Sequence, residues 1–140
     1  MPDKFDWQAM SAPDLAAFEE MAQVAWLRLP ETFRAPAGGV LIRIEDFAAD
    51  EVLDALGIDD PFDLLGLYQG VSLDKKSVLD VSEQPDMVFL YRRALLDEWA
   101  NSGETLGDLI THVLVHEIGH HFGFSDDDMA RIEAAAGADA

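Results

Sequence analysis

The stretch HVLVHEIGHHFGFSDDD, residues 112–128, carries all four histidines of the chain, a glutamate among them and three aspartates after them. Its apolar residues recur at helical spacing from about Thr105 to His121, and Gly123 stands where a left-handed residue would end that helix. On such a helix His116 and His120, four residues apart, project from one face with one turn between them. That is the spacing two imidazole nitrogens need to share one zinc ion. Glu117 lies about 100° further round, near enough to reach a water beside a metal without being a ligand itself.

HEIGH therefore matches the zinc-protease signature His-Glu-x-x-His. Residue frequencies alone would produce that pattern in roughly one chain of this length in a few hundred, so the residues after it carry the weight. Gly123 lies three residues past His120 and Asp126 three beyond that, which extends the pattern to HExxHxxGxxD. The extension has a mechanism: a helix must stop and reverse, here at glycine, before the chain can return a third ligand to a metal held by the preceding turns.

HEIGHHFGFSDDD, with LLGLYQGV (64–71) and VFLYRR (88–93) upstream, resembles the small bacterial zincin-like metallopeptidases called minimal zincins. The resemblance covers roughly the second half of the chain and implies a reduced zincin fold, while length and element order lead to the expectation of a single α+β domain over residues 1–140. In it a small mixed β-sheet packs against helices, and the zinc motif sits on a helix in the C-terminal half. It also implies that His116, His120 and Asp126 bind Zn2+ and that Glu117 is the general base. Aspartate stands where better-known zincins have a third histidine, which makes the donor set more anionic.

The neighbouring residues read more plainly. His112 repeats the four-residue spacing toward His116 but has no glutamate after it, and it sits about 12 Å along the axis from His120, too far for both to join one tetrahedral site. It reads as packed or as support for a ligand. His121 points about 100° off the ligand face. Asp127 and Asp128 read as a dipole-complementing start to a final helix, and Met129 as core. Tyr68 has the chemistry to polarise a carbonyl, and Arg92 or Arg93 to bind a carboxylate, but packing and surface roles suit all three.

Composition narrows the partners. The chain has 140 residues, 49% of them hydrophobic, enough for one domain with a real core. It has no cysteine, so any metal must sit on nitrogen and oxygen donors. Nine basic against 28 acidic residues give a net charge of −19, which disfavours nucleic acid and anionic membranes and favours basic or neutral ligands. The N-terminus lacks the basic and apolar regions of a signal peptide, and no apolar run reaches spanning length, so the expected address is cytoplasmic.

Elsewhere the pattern predicts a helix from Ser11, as cap, to about Pro30, a loop over ETFRAPAGG, and a strand in VLIRIEDF with Val40, Ile42 and Ile44 on one face. DEVLDALGI reads as a short helix capped by Asp50 and stopped by Gly57. DLLGLYQGVSL reads as a bent strand, DMVFLYRRAL as a strand passing into the short helix ALLDEWA, and DDDMARIEAAA as the start of a last helix with a fraying tail. The leading functional reading is a zinc-dependent peptidase acting on a peptide or protein, with the strand around Leu67–Val71 as a platform for extended substrate. A noncatalytic zinc-binding or partner-binding module on the same scaffold is the alternative.

Overall fold

The first helix, α1 (Leu15–Arg28), buries Phe18, Ala22 and Ala25 along one stripe and ends at Leu29, whose extended backbone leads into Pro30. Its cap is Asp14, not Ser11: the Asp14 carboxylate accepts the Ala17 N–H at 2.8 Å. Pro13 thus stands before the cap, and an acidic cap also suits the positive end of the helix dipole. The structure is a computed structural model, and it describes residues 6–70 and 86–138. The segment expected to be a loop instead contains a one-turn helix, α2 (Glu31–Arg34), followed by a 3-10 turn over Ala35–Ala37. Phe33 explains the turn, because it is buried against Phe124 with ring centroids 5.3 Å apart.

Strand β1 (Leu41–Glu45) alternates as its sequence predicts, with Ile44 buried and Leu41 and Arg43 exposed. Helix α3 (Asp50–Leu56) has Ala49 at its cap position and Asp50 inside its first turn, and it stops at Gly57, whose φ of 68° is the left-handed conformation expected there. Strand β2 (Gly66–Gln69) is shorter than the bent strand predicted, whose remainder past Gly70 falls outside the described residues. Strand β3 (Met87–Tyr91) runs straight into α4 (Arg92–Ser102), so this helix begins two residues before the predicted ALLDEWA segment.

The sheet is mixed, in the order β1-β3-β2. β1 runs parallel to β3 with Ile44 opposite Leu90, and β2 runs antiparallel to it with Gly66 opposite Leu90. Two helices complete the fold: α5 (Leu106–His121) and α6 (Asp126–Ala138), so the alanine-rich tail stays helical to Ala138. α5 buries Leu109, Ile110, Val113, Leu114, Val115 and Ile118 among α1, the sheet and α6. Each fully buried aliphatic side chain there contributes about 1.5–3 kcal/mol relative to exposure, so this helix is the spine of the core. The result is a single-domain α+β fold with helices packed on a mixed sheet, the architecture expected. Among the described residues no helix is long and apolar enough to cross a membrane.

Candidate metal centre

Thr105 starts α5 by accepting the Asp108 N–H at 3.1 Å, and Gly123 ends it with a φ of 78°. The Gly123 N–H donates to the His120 carbonyl and the Phe124 N–H to the Gly119 carbonyl, a Schellman closure that satisfies the last turn. The chain then reverses into α6, which opens with a reciprocal pair: Asp128 N–H donates to Ser125 Oγ at 3.1 Å, and Ser125 N–H to Asp128 Oδ2 at 3.4 Å. Hydrogen bonding from Ser125 first, and then from Arg131, holds the Asp128 carboxyl below its usual pKa. Met129 is fully buried against Gly119, which confirms its core reading.

This reversal lays α6 along α5 and brings three donor groups together. His112, His116 and Glu133 each place one ligand atom within 4.8 Å of the other two. His112 Nδ1 is 2.6 Å from Glu133 Oε1, and His116 Nε2 is 4.0 Å from the same oxygen. The His112 and His116 rings lie with centroids 4.1 Å apart. Glu133 Oε1 is shielded from solvent and has no hydrogen-bond partner among the described residues. Its near neighbour is His112 Nδ1 at 2.6 Å, an ion-pair partner only when the ring is protonated, so a neutral His112 with its proton on Nε2 leaves the oxygen without a donor. A buried polar atom without its hydrogen bond costs about 1–3 kcal/mol. A cation bound by Glu133 would remove that cost.

Of the motif residues, His116 alone belongs to this group. His116 and His120 share the helix face with ring centroids 5.7 Å apart. Asp126, first residue of α6 and exposed, is near enough to favour the charged form of His116. Burial nevertheless lowers the His116 pKa, with the neighbouring His112 and His120 acting in the same direction. His120 and Asp126 do not belong to the converging group of three. Sequence reasoning missed Glu133 altogether and left His112 as a packed or supporting residue. The available signal was spacing, since Glu133 stands seven residues past Asp126, two turns on along the same helix.

Glu117 turns toward the sheet instead. Its carboxylate faces the main chain of Tyr68 in β2. Burial raises its pKa, and the Tyr68 main chain and His120 oppose the rise. Tyr68 stacks its ring on His121 at 3.9 Å and donates its hydroxyl to Asp86 at 2.8 Å. Burial, then this hydrogen bond and the Asp86 charge, push its phenol well above the usual range. Arg92 meets an internal carboxylate, Asp46, at 2.7 Å and the Pro13 carbonyl at 2.8 Å, which assigns it to the scaffold.

The donors fit a zinc ion: imidazole nitrogens and a carboxylate are common zinc ligands, and the orphaned Glu133 oxygen is among them. The candidate site lies on a helix of the C-terminal half of a single α+β domain. Residues 37–136, from the 3-10 turn before β1 into the last turn of α6, match the family model of the zincin-like metallopeptidases. The chain belongs to this family. Among solved structures, it is similar to a conserved hypothetical protein from Thermus thermophilus, at 22% identity and a TM-score of 0.49, over 79% of this chain and 94% of that one. No curated protein matches the chain significantly.

Proposed function

We propose that the protein is a zinc-dependent peptidase whose single domain takes in residues 1–140, with His116, His120 and Asp126 holding the metal and Glu117 as general base. Bound there, zinc would supply Lewis acidity that polarises the scissile carbonyl and makes a water more acidic. Glu117 takes the proton from the attacking water and passes it to the leaving amine. The observation that supports this reading best is the pairing of His116 and His120 on one face of α5, ring centroids 5.7 Å apart, in a chain of the zincin-like family. Glu117 follows His116 on the same helix, and the main chain of Tyr68 in β2 favours its charged form. Among the described residues β2 is an edge strand, in the order β1-β3-β2, and on this reading an extended peptide pairs with that edge beside the base. The charge of −19 favours basic peptides, and the cytoplasm is the proposed setting.

Glu117→Gln tests the assignment, because it removes the base and leaves the metal donors and the helix intact. Hydrolysis of a mixed peptide library, read by mass spectrometry, should drop at least about 100-fold while zinc content and the melting curve stay unchanged. Cleavage that continues at the wild-type rate in this variant would refute the role of Glu117. One observation favours the alternative of a noncatalytic zinc-binding module: Glu133 Oε1, 4.0 Å from His116 Nε2, is a further protein donor of the kind that closes structural zinc sites. If zinc-loaded wild type cleaves nothing in a broad library, that module becomes the better reading.

A further inference from the structure

The convergence of His112 and Glu133 on His116 leaves a donor set that the motif does not use. We propose that His116 serves two mutually exclusive metal positions, one with His120 and Asp126 and a second with His112 and Glu133, between which a single ion partitions. The first position belongs to the functional reading above. The second stands on its own distances.

Two zinc bonds of about 2.0–2.1 Å reach at most about 4.1 Å between donor atoms. The 4.0 Å from His116 Nε2 to Glu133 Oε1 and the 2.6 Å from that oxygen to His112 Nδ1 both lie inside that reach. Tetrahedral donors stand about 3.3 Å apart, so an entering ion would draw the first pair together and part the second, each by roughly 0.7 Å. Side-chain rotation covers such shifts without moving a helix. Glu133 Oε1 already lacks a hydrogen-bond donor among the described residues, so an ion there costs them no existing hydrogen bond.

Exclusivity follows from the imidazole. A neutral ring has one free lone pair, its other nitrogen carrying a proton, so His116 can ligate one ion at a time. Access also separates the positions. His112 and Glu133 line a cavity of about 910 Å³ between α1, the first half of α5 and the end of α6. His116, His120, Asp126 and Glu117 do not line it, so the cavity reaches the second position at its His112 and Glu133 end. An ion in the second position would therefore be approached from a cavity that neither Tyr68 nor Glu117 lines.

The experiment is metal content after equilibrium dialysis against zinc, with cobalt substitution to read the ligand field and circular dichroism to confirm folding. Wild type should hold one equivalent. His120→Ala with Asp126→Ala should still hold one, with a shifted cobalt spectrum, and adding Glu133→Gln should abolish it. Glu133→Gln alone should keep one equivalent at the motif. The proposal is overturned if the folded double variant binds no metal, if its ion survives Glu133→Gln, or if wild type binds two equivalents. These outcomes concern metal retention alone, so they are separate from any failure of wild type to hydrolyse peptides.

Discussion

Gly66 is the residue on which β2 is seated, and its replacement by alanine tests whether close strand-to-helix contact holds this end of the sheet. A Cβ at that position would lie 2.6 Å from Val113 Cγ1 and 3.0 Å from the Phe89 carbonyl oxygen. Val113 is 5% exposed and belongs to the buried face of α5, so its methyl has little room to retreat. Overpacking of this kind costs about 1–3 kcal/mol. For a domain of this size each kcal/mol lowers Tm by roughly 3–5 °C, so Gly66→Ala should melt about 3–15 °C below wild type. Val113→Ala alone should cost about 1–3 kcal/mol through the cavity it leaves. In the double variant the new methyl occupies part of that cavity. The two losses should therefore fall short of additivity by at least about 1 kcal/mol in a thermal or denaturant cycle. A wild-type Tm for Gly66→Ala, or strict additivity with Val113→Ala, would refute the seating.

Arg92→Ala breaks a 2.7 Å ion pair with Asp46 and a 2.8 Å hydrogen bond to Pro13 from a side chain only 15% exposed. It should lose about 1–3 kcal/mol by urea unfolding, and Arg92→Lys should recover only part, since an ammonium lacks the fork that makes both contacts. Equal stability of wild type and alanine variant would remove Arg92 from the scaffold. At alkaline pH, burial first and then the Glu45 and Glu117 charges push the Tyr91 phenol up to about 12. Its folded pKa thus exceeds the ordinary value of about 10. The stability it contributes is complete below pH of about 10 and is lost as pH rises through about 12. Tyr91→Phe should flatten part of that decline in unfolding midpoints, with Tyr68 supplying the remainder, and identical slopes would count against the shift. Finally, zinc at about 100 times its Kd should add about 2.7 kcal/mol, a rise in Tm of roughly 8–13 °C that a chelator reverses. An indifferent Tm would mean that no ion binds the folded chain preferentially.

What the sequence made legible was whatever depends on neighbours along the chain. The alternation of Val40, Ile42 and Ile44 located β1, and Gly57 and Gly123 marked helix ends because φ values of 68° and 78° favour glycine there. The helical histidine spacing put His116 and His120 on one face. Errors came where two local signals competed or where tertiary contact decided. Ser11 and Asp14 are both good caps, and the one that Ala17 N–H reaches wins. The turn of α2 exists because Phe33 is drawn into the core beside Phe124, a partner ninety-one residues away.

The position of Glu133 illustrates the same limit in the site. Its approach to His112 and His116 depends on how closely α6 lies against α5, and one tight point of that approach is inside the motif. A Cβ at Gly119 would stand 2.5 Å from Met129 Sδ. Gly119 has an ordinary helical conformation, so its value there is the missing side chain and not backbone freedom. The two unspecified positions of His-Glu-x-x-His are therefore not equivalent in this chain. Ile118 points into the core, while Gly119 clears the space into which Met129 packs. A larger residue at 119 would hold α6 away from α5, and Glu133 with it, since both Met129 and Glu133 ride on one rigid helix. The residue that permits the second donor set is thus carried by the motif that defines the first.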